Sequence, residues 1–402
     1  MGCRLNAYEA ERMDALARAR GLDAQVVNTC AVTAEAVRQS RQAVRRAARA
    51  GPVLVSGCAS QIEPEAFAAI EGVVGVIGNG EKTDPRAFAR LGPVPPDVAA
   101  ATALPRAPVP SAVPVRAPLE VQNGCDHACT FCIIPTGRGR ARSKRIGDCV
   151  AEARDLMSLG ARELVLTGVD LTSWGPDLGP ERLGAVVEAI LAATPSDVHV
   201  RLSSIDGAEI DDQLFGLLTT EPRVAPYAHL SLQAGDDMIL KRMKRRHARA
   251  DAVALCERLR AARPEIALGA DLIAGFPTET EEMTANTRAL IADCGLAFVH
   301  VFPFSPRAGT PAARMPQVAR EVVKVRAAAL RAAASDALTR HLDGLVGQRR
   351  DVLVEQIRDG VPRGKTACFA DASLPEGSAG VGARLWVRLT ARNGRGLGAV
   401  PV

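Results

Sequence analysis

Short apolar runs separated by stretches of helical spacing recur along most of the chain. Ala24-Gln25-Val26-Val27-Asn28-Thr29 and Val53-Leu54-Val55-Ser56 read as buried strands, with helical patterns between them. This predicts a small α/β unit with a parallel sheet over residues 1–91. The pattern stops at 92–118, where eight prolines in 27 residues rule out a helix or a central strand and predict an extended linker. Alternation resumes at 119. Strands are predicted at Leu119–Gln122, Glu163–Thr167, Val198–Ser203, His229–Gln233, Leu268–Ala274 and Phe298–Pro303. Six parallel strands with crossover helices suggest a partial (β/α)6 barrel, whose reactive groups sit where strands end and loops begin. Residues 319–343 read as one helix that closes this unit. From 346 to 402, period-two segments such as Asp351–Glu355 and Arg384–Leu389, separated by Gly-rich turns, predict a small all-β barrel.

Length and composition narrow the class. A chain of 402 residues holds two to four domains at roughly 100–200 residues each. Nowhere do about 18 apolar residues run together, so no membrane span is predicted. The first residues lack a charged segment followed by an apolar one, so no secretory signal is read and the cytoplasm is expected. There the ten cysteines stay reduced, which turns attention from disulfides to metal binding or catalysis. The net charge is +5, and Val346–Val402, with nine Lys/Arg against five Asp/Glu, carries +4 of it. Such a tail is either a solvated surface or an electrostatic footprint for nucleic acid.

The strongest chemical signal is Cys125-Asp126-His127-Ala128-Cys129-Thr130-Phe131-Cys132. Three thiolates at C-x3-C-x2-C can hold three irons of a four-iron cluster from one loop, leaving the fourth iron open to a small chelating molecule. Zinc usually takes paired C-x2-C units, and no second pair lies nearby. A second set is dispersed: Cys3 in Gly2–Asn6, Cys30 after the first strand and Cys58 after the second. The last two lie at the same end of successive parallel strands and could converge. Cys149, Cys256, Cys294 and Cys368 have no metal spacing and read as packing residues.

Several stretches carry a family resemblance: GCRLNAYEAE at 2–11, VNTCAVTAEA at 27–36, SGCASQ at 56–61, NGCDHACTFCIIPTGRGRARS at 123–143, LTGVDLTSWG at 166–175, HLSLQAGDDMILKRMKRR at 229–246 and VHVFPFSPRAGTPAARM at 299–315. With them the chain resembles the radical S-adenosylmethionine methylthiotransferases, and most of all the branch that modifies N6-threonylcarbamoyladenosine in tRNA. The resemblance implies that Cys125, Cys129 and Cys132 hold a 4Fe–4S cluster whose open iron binds S-adenosylmethionine. It also implies that Cys3, Cys30 and Cys58 hold an auxiliary 4Fe–4S cluster that supplies or carries sulfur. One S-adenosylmethionine would methylate sulfur. A second would be cleaved to a 5′-deoxyadenosyl radical that takes hydrogen from adenine C2, where the methylthio group is installed. The implied partners are the anticodon stem-loop of tRNA and an electron donor such as flavodoxin or ferredoxin, with the enzyme a monomer. The family places a strand ahead of the first cysteine, whereas only Met1 and Gly2 precede Cys3 here, an expectation of a late start or a truncation.

By position at strand ends, Gly168, Asp170, Ser203, Ser231, Gln233 and Asp271 are candidates to line the S-adenosylmethionine pocket, or else are turn and capping residues. Arg38, Arg41, Arg45 and Arg49 recur at helical spacing on one face and could track phosphates, or form a solvated face. The C-terminal module resembles a TRAM domain, a tRNA-binding barrel. Its candidate contacts are Arg349, Arg350, Arg363, Lys365, Arg384, Arg388 and Arg392, with Phe369 and Trp386 as its only aromatic stacking candidates. Three rival readings remain. One is a sibling methylthiotransferase acting on isopentenyladenosine or on a ribosomal protein aspartate. The others are an RNA-binding protein with structural or redox-sensing clusters, and a zinc protein.

Overall fold

The structure is a computed structural model and describes residues 4–89, 92, 97–98 and 101–402. Three parallel strands, β1 (Gln25–Thr29), β2 (Val53–Gly57) and β3 (Val73–Val76), form the N-terminal sheet in that order. They are flanked by α1 (Arg4–Ala19), α2 (Ala34–Ala48) and the short α3 (Cys58–Ile62) and α4 (Pro64–Ala68). Helix α2 starts where it does because Thr33 Oγ1 accepts the Ala36 N–H at 3.0 Å, a side-chain cap. Its Val37 and Val44 are buried against the sheet. The four-residue β3 was not among the predicted strands.

The central unit contains β4 (Arg116–Glu120), β5 (Gln122–Asn123), β6 (Arg142–Ser143), β7 (Glu163–Thr167), β8 (His199–Leu202), β9 (Ser204–Ile205), β10 (Tyr227–Gln233), β11 (Ala267–Ala274) and β12 (Leu296–Pro303). Its helices are α5 (Ile134–Arg138), α6 (Ile146–Ser158), α7 (Leu183–Ala193), α8 (Asp212–Thr220), α9 (Asp237–Met243), α10 (Arg249–Ala262), α11 (Glu281–Asp293) and α12 (Arg320–Leu345). Strands β4-β7-β8 and β9-β10-β11-β12 pair in parallel, and β9 continues β8 after a break at Ser203. The result is the expected half-barrel, with β4 and β12 as its unpaired edges among the described residues. The first strand begins earlier than the predicted Leu119, inside the proline-rich stretch. Pro118 is tolerated there because β4 is an edge strand. The rest of that stretch is not a free tether: Val98 and Ala107 are buried and Arg106 pairs with Asp155.

Side-chain alternation sorts the half-barrel strands into two faces. Leu230 and Leu232 on β10, and Leu268, Ala270 and Leu272 on β11, join the core beneath the helices. Their neighbours His229, Ser231, Gly269 and Asp271 therefore face the lumen. The lumen is closed below by the C-terminal unit, a closed antiparallel and parallel barrel in the order β13-β14-β15-β17-β16. Its strands are β13 (Arg349–Arg358), β14 (Val361–Thr366), β15 (Asp371–Ser373), β16 (Arg384–Asn393) and β17 (Gly396–Pro401). Helix α12 reaches it through Leu338, Leu342 and Leu345, which share its core. Phe369 stacks on Tyr227 with ring centres 4.7 Å apart, and both rings meet Phe298 edge-on. Around this aromatic floor, Glu163 pairs with Arg201 at 2.6 Å and with Arg116 at 2.7 Å. All three are nearly fully buried, and Arg116 also reaches Glu355 of the C-terminal barrel at 2.9 Å.

Candidate active site

The cysteine loop follows β5 at the upper rim of the half-barrel. Gly124 opens it with φ of +74°, and a Cβ there would lie 1.8 Å from the Arg140 carbonyl oxygen, so no other residue fits. Gln122, fully buried, clamps two loops together. Its amide donates to Gly124 O at 2.8 Å, and its Oε1 accepts the Val169 and Asp170 N–H groups at 3.0 and 2.9 Å. Thr130 ties the far side of the loop to α9: its N–H donates to Met243 O at 3.1 Å and its hydroxyl to Arg242 O at 2.7 Å. Cys125, Cys129 and Cys132 are all half-buried.

The electrostatics around these thiols are specific. Burial and the Asp170 carboxylate, 3.4 Å from Cys125 Sγ, push the Cys125 thiol far up. Burial pushes Cys132 up to about 12. Such groups stay protonated at neutral pH unless a cation compensates the thiolate, which is what iron does when it binds. Arg245 points Nη1 at Cys129 Sγ at 3.6 Å while its Nη2 donates to Asp206 and to Ser231 O at 2.8 and 2.7 Å. His127, between the first two cysteines, bonds Asp170 at 2.7 Å. Hydrogen bonds to Asp170 and Glu209 lift it to about 10.

The structure places the other predicted residues unevenly. Gly168 packs against Gln122, and a Cβ there would meet Gln122 Oε1 at 2.9 Å. Asp170 is committed to the loop knot just described. Ser203 sits in the break between β8 and β9 with its hydroxyl covered and no hydrogen-bond partner among the described residues, an uncommon state for a covered polar group. Gln233 ends β10 at φ of +69°, a strained conformation for a non-glycine residue. Ser231 and Asp271 are not at strand ends. They lie within β10 and β11, facing the lumen, and Asp271 is held by two imidazoles rather than free for a cofactor.

In the N-terminal unit Thr29 and Gly57 are register partners, so Cys30 and Cys58 leave the sheet side by side. Cys3 lies outside the described residues. Cys58 begins α3, and α3 packs on α5, the helix that follows Cys132. A Cβ on Gly137 would come within 3.0 Å of Cys58 Cβ. The two cysteine sets thus flank one shared wall. Sequence reasoning missed what locks that wall. Glu9, with no exposure, accepts from Arg138 at 2.6 and 3.1 Å, Lys82 at 2.5 Å, Asn28 at 3.0 Å and Asn123 at 3.3 Å. Nearby, Glu152 takes Arg12 and Lys144, each at 2.7 Å.

The arginine stripe on α2 is partly neutralised. Arg38 pairs with Glu35 and Arg41 with Glu63. Arg38, Arg41 and Arg45 nevertheless line a groove of about 380 Å³ that Arg307 joins from the loop after β12. Arg49 lies just past the helix end, outside that groove. In the C-terminal barrel two expectations are corrected. Arg384 turns inward to Asp351 at 2.6 Å and Glu163 at 3.5 Å, because buried carboxylates there need a counter-charge. Phe369 is spent on the barrel floor. Lys365 pairs with Asp371, and Arg392 with Asp343. Arg349, Arg363 and Arg388 remain at the surface and Arg350 is half-buried, while Trp386 is 57% exposed.

A half-barrel carrying C-x3-C-x2-C at its rim defines a radical S-adenosylmethionine enzyme. The model of the Radical SAM superfamily matches residues 119–291, and that of the Uncharacterized protein family UPF0004 matches 1–78. The chain is 45% identical to Threonylcarbamoyladenosine tRNA methylthiotransferase MtaB of Rickettsia prowazekii, over 88% of this chain and 86% of that protein. It is 32% identical to the protein of the same name from Bacillus subtilis, over 81% and 76%. To tRNA-2-methylthio-N(6)-dimethylallyladenosine synthase of Erythrobacter litoralis it is 34% identical, over 88% and 85%. Among solved structures, the radical S-adenosylmethionine methyltransferase TsrM from Kitasatospora setae shares the fold. Its TM-score is 0.56 at 16% identity, over 75% of this chain and 68% of that one. The chain belongs to the radical S-adenosylmethionine tRNA methylthiotransferases, whose members carry two 4Fe–4S clusters and use S-adenosylmethionine. No described helix is long and apolar enough to cross a membrane.

Proposed function

We propose that this enzyme installs a methylthio group at C2 of N6-threonylcarbamoyladenosine next to the anticodon of tRNA, giving 2-methylthio-N6-threonylcarbamoyladenosine. The observation that carries this reading is the packing of Cys58 against the helix that follows Cys132, which sets sulfur handling beside radical generation. The relative at 45% identity, named for threonylcarbamoyladenosine, supports the choice of substrate. We take the working units to be 1–91, the linker 92–118, 119–343 and 346–402.

Cys125, Cys129 and Cys132 are the ligands of the radical cluster, and Cys30 and Cys58 with Cys3 those of the auxiliary one. When bound, the first cluster supplies the electron that splits S-adenosylmethionine into methionine and a 5′-deoxyadenosyl radical. The protein's part is placement. Gln122 fixes the cysteine loop against the loop after β7. Gly168, Ser203, Ser231 and Gln233 line the S-adenosylmethionine pocket, with the Ser203 hydroxyl offering the unused hydrogen bond. Asp170 orients the first thiol and His127. The aromatic floor around Tyr227 covers the lumen from below and would keep water from the reacting atoms once a cofactor is bound. Arg38, Arg41, Arg45 and Arg307 follow the RNA backbone on one side. Arg349, Arg350, Arg363 and Arg388 with the exposed Trp386 do so on the C-terminal barrel. The enzyme works in the cytoplasm as a monomer, reduced by a flavodoxin or ferredoxin.

The test is anaerobic reconstitution followed by incubation with S-adenosylmethionine and stem-loops carrying either threonylcarbamoyladenosine or isopentenyladenosine. The expected result is 5′-deoxyadenosine with a methylthio mass increment on the first RNA, and neither product from a Cys125→Ala/Cys129→Ala/Cys132→Ala variant. Modification of the isopentenyl RNA alone would reassign the enzyme to its sibling branch.

A further inference from the structure

The lumen of the half-barrel contains a cluster that the cysteine chemistry does not use. Tyr227 rises from the aromatic floor, and its hydroxyl lies 2.9 Å from His229 Nδ1. His229 Nε2 lies 3.0 Å from Asp271 Oδ1, and His300 Nδ1 approaches the same oxygen at 3.2 Å. The four residues come from three neighbouring strands, β10, β11 and β12. Asp271 and His300 are register partners.

The hydrogen-bond roles follow from the acceptor at the centre. Burial raises the Asp271 carboxyl, but hydrogen bonds from His229 and His300 override it and hold the group to about 2, so it is a carboxylate. A carboxylate only accepts. His229 Nε2–H and His300 Nδ1–H are therefore both donors, His229 Nδ1 accepts the hydrogen bond that the Tyr227 hydroxyl donates, and His300 Nε2 is left over. Exposure rises along the chain of bonds. The His229 side chain is 7% exposed, Asp271 28% and His300 63%. A buried relay thus ends on an exposed imidazole whose orientation it fixes.

Where that imidazole points is set by strand periodicity. Val299 and Val301 pack against the core beneath the helices, so Phe298, His300 and Phe302 form a column on the lumen face of β12. Phe298 sits on the floor and Phe302 is 39% exposed above. Strand β12 is an edge, facing the gap that separates it from β4. A base that leaves its RNA stack to reach the rim, as base-modifying enzymes require, has an entrance at this open edge. Ser231 is one step above His229 on the lumen face of β10, and its carbonyl is joined through Arg245 to Cys129. The relay therefore lies one side-chain layer below the cysteine loop.

We propose that His300, oriented by Asp271 and His229, is the side chain that reads the N6 substituent of the substrate adenosine, selecting one with hydrogen-bonding groups over an apolar one. This rests on the substrate reading above. The threonylcarbamoyl group carries a urea, a hydroxyl and a carboxylate, any of which the free His300 Nε2 can meet as acceptor or, when protonated, as donor. An isopentenyl group offers none, and would leave the imidazole desolvated and unpaired. Asp271 and His229 are positioning residues in this scheme.

The experiment measures kcat and KM of the reconstituted holoenzyme, His300→Phe and Asp271→Asn on stem-loops carrying threonylcarbamoyladenosine or isopentenyladenosine, with iron content as the folding check. His300→Phe keeps a ring of similar size and removes both nitrogens. One lost hydrogen bond to a polar or charged group corresponds to about 10- to 100-fold. That loss is expected in kcat/KM on the threonylcarbamoyl RNA, carried by KM, with no loss or a gain on the isopentenyl RNA. Asp271→Asn is expected to fall between wild type and His300→Phe. Equal losses on both RNAs, or full activity of His300→Phe on the threonylcarbamoyl RNA, would overturn the proposal. Wild-type enzyme inactive on the threonylcarbamoyl RNA overturns the substrate assignment itself, and shows before any variant is made.

Discussion

Glu9→Gln removes a buried charge that joins the N-terminal unit to the half-barrel. The carboxylate has no exposure and serves four partners from four segments: Asn28 on β1, Lys82 in the loop after β3, Asn123 on β5 and Arg138 on α5. Burial alone would raise its pKa, but Arg138 and Lys82 outweigh burial and lower it from 4.5 to about 2. Glutamine keeps the shape and removes the charge, leaving Lys82 and Arg138, 2% and 4% exposed, without their shared counter-ion. Breaking a buried pair in this way costs about 3–5 kcal/mol. Glu120, whose carboxyl is raised by burial and by Glu9, would ionise more readily and recover part of that, so about 3 kcal/mol is expected. The assay is hydrogen exchange of peptides covering residues 4–19 and 134–138, where such a loss lowers protection by roughly 100-fold. The pH dependence has a definite sign. A carboxyl lowered on folding contributes stability that is fully present above 4.5 and disappears as pH falls toward 2. Wild type should lose protection at this joint across that window, and Glu9→Gln should lose the window itself. A change below about 1 kcal/mol at neutral pH would refute the view that Glu9 locks the two units together.

Phe369→Ala should loosen the C-terminal barrel from the lumen floor at a cost of about 3 kcal/mol, seen as faster proteolysis near residue 346 while the barrel strands stay protected. Gln122→Leu orphans the Asn123 and Gly124 carbonyls at the start of the cysteine loop and the Val169 and Asp170 N–H groups of the loop after β7, at about 1–3 kcal/mol for each group that water does not reach. Iron retained after reconstitution should drop in this variant even though every cysteine is present. Arg45→Ala and Arg307→Ala should each reduce the salt slope of stem-loop binding by about one. Trp386→Ala should weaken RNA binding by about 1–3 kcal/mol if a base stacks on it, as measured by titration with labelled stem-loop.

The features legible in the sequence were those encoded by neighbours in the chain. The six strands of the half-barrel could be placed because most are short, largely apolar runs between helical stretches, such as Glu163–Thr167, in which every residue is buried. The cysteine loop was legible because its three thiols lie within eight residues and follow a strand. That Cys30 and Cys58 follow neighbouring strand ends was also legible from strand order, and the Thr29–Gly57 register is its physical basis. Strand β3 escaped because four residues with an exposed valine carry too little pattern.

What the sequence could not show was which charges and rings meet. Glu9 finds Lys82 across 73 positions and Arg138 across 129. Nothing local to any of them distinguishes a buried counter-ion from a surface one. Arg384 looked like an RNA contact because an alternating barrel strand presents it at a plausible position, and Phe369 because it is one of only two aromatic residues in that module. Only the docking of that barrel under the lumen turned them inward. His229 and His300 lie on separate strands and meet one oxygen of Asp271 only because β10, β11 and β12 pair in that register. Short-range periodicity fixes which face a residue takes, but long-range closure decides what that face meets, and the chemistry of buried polar groups depends on the second.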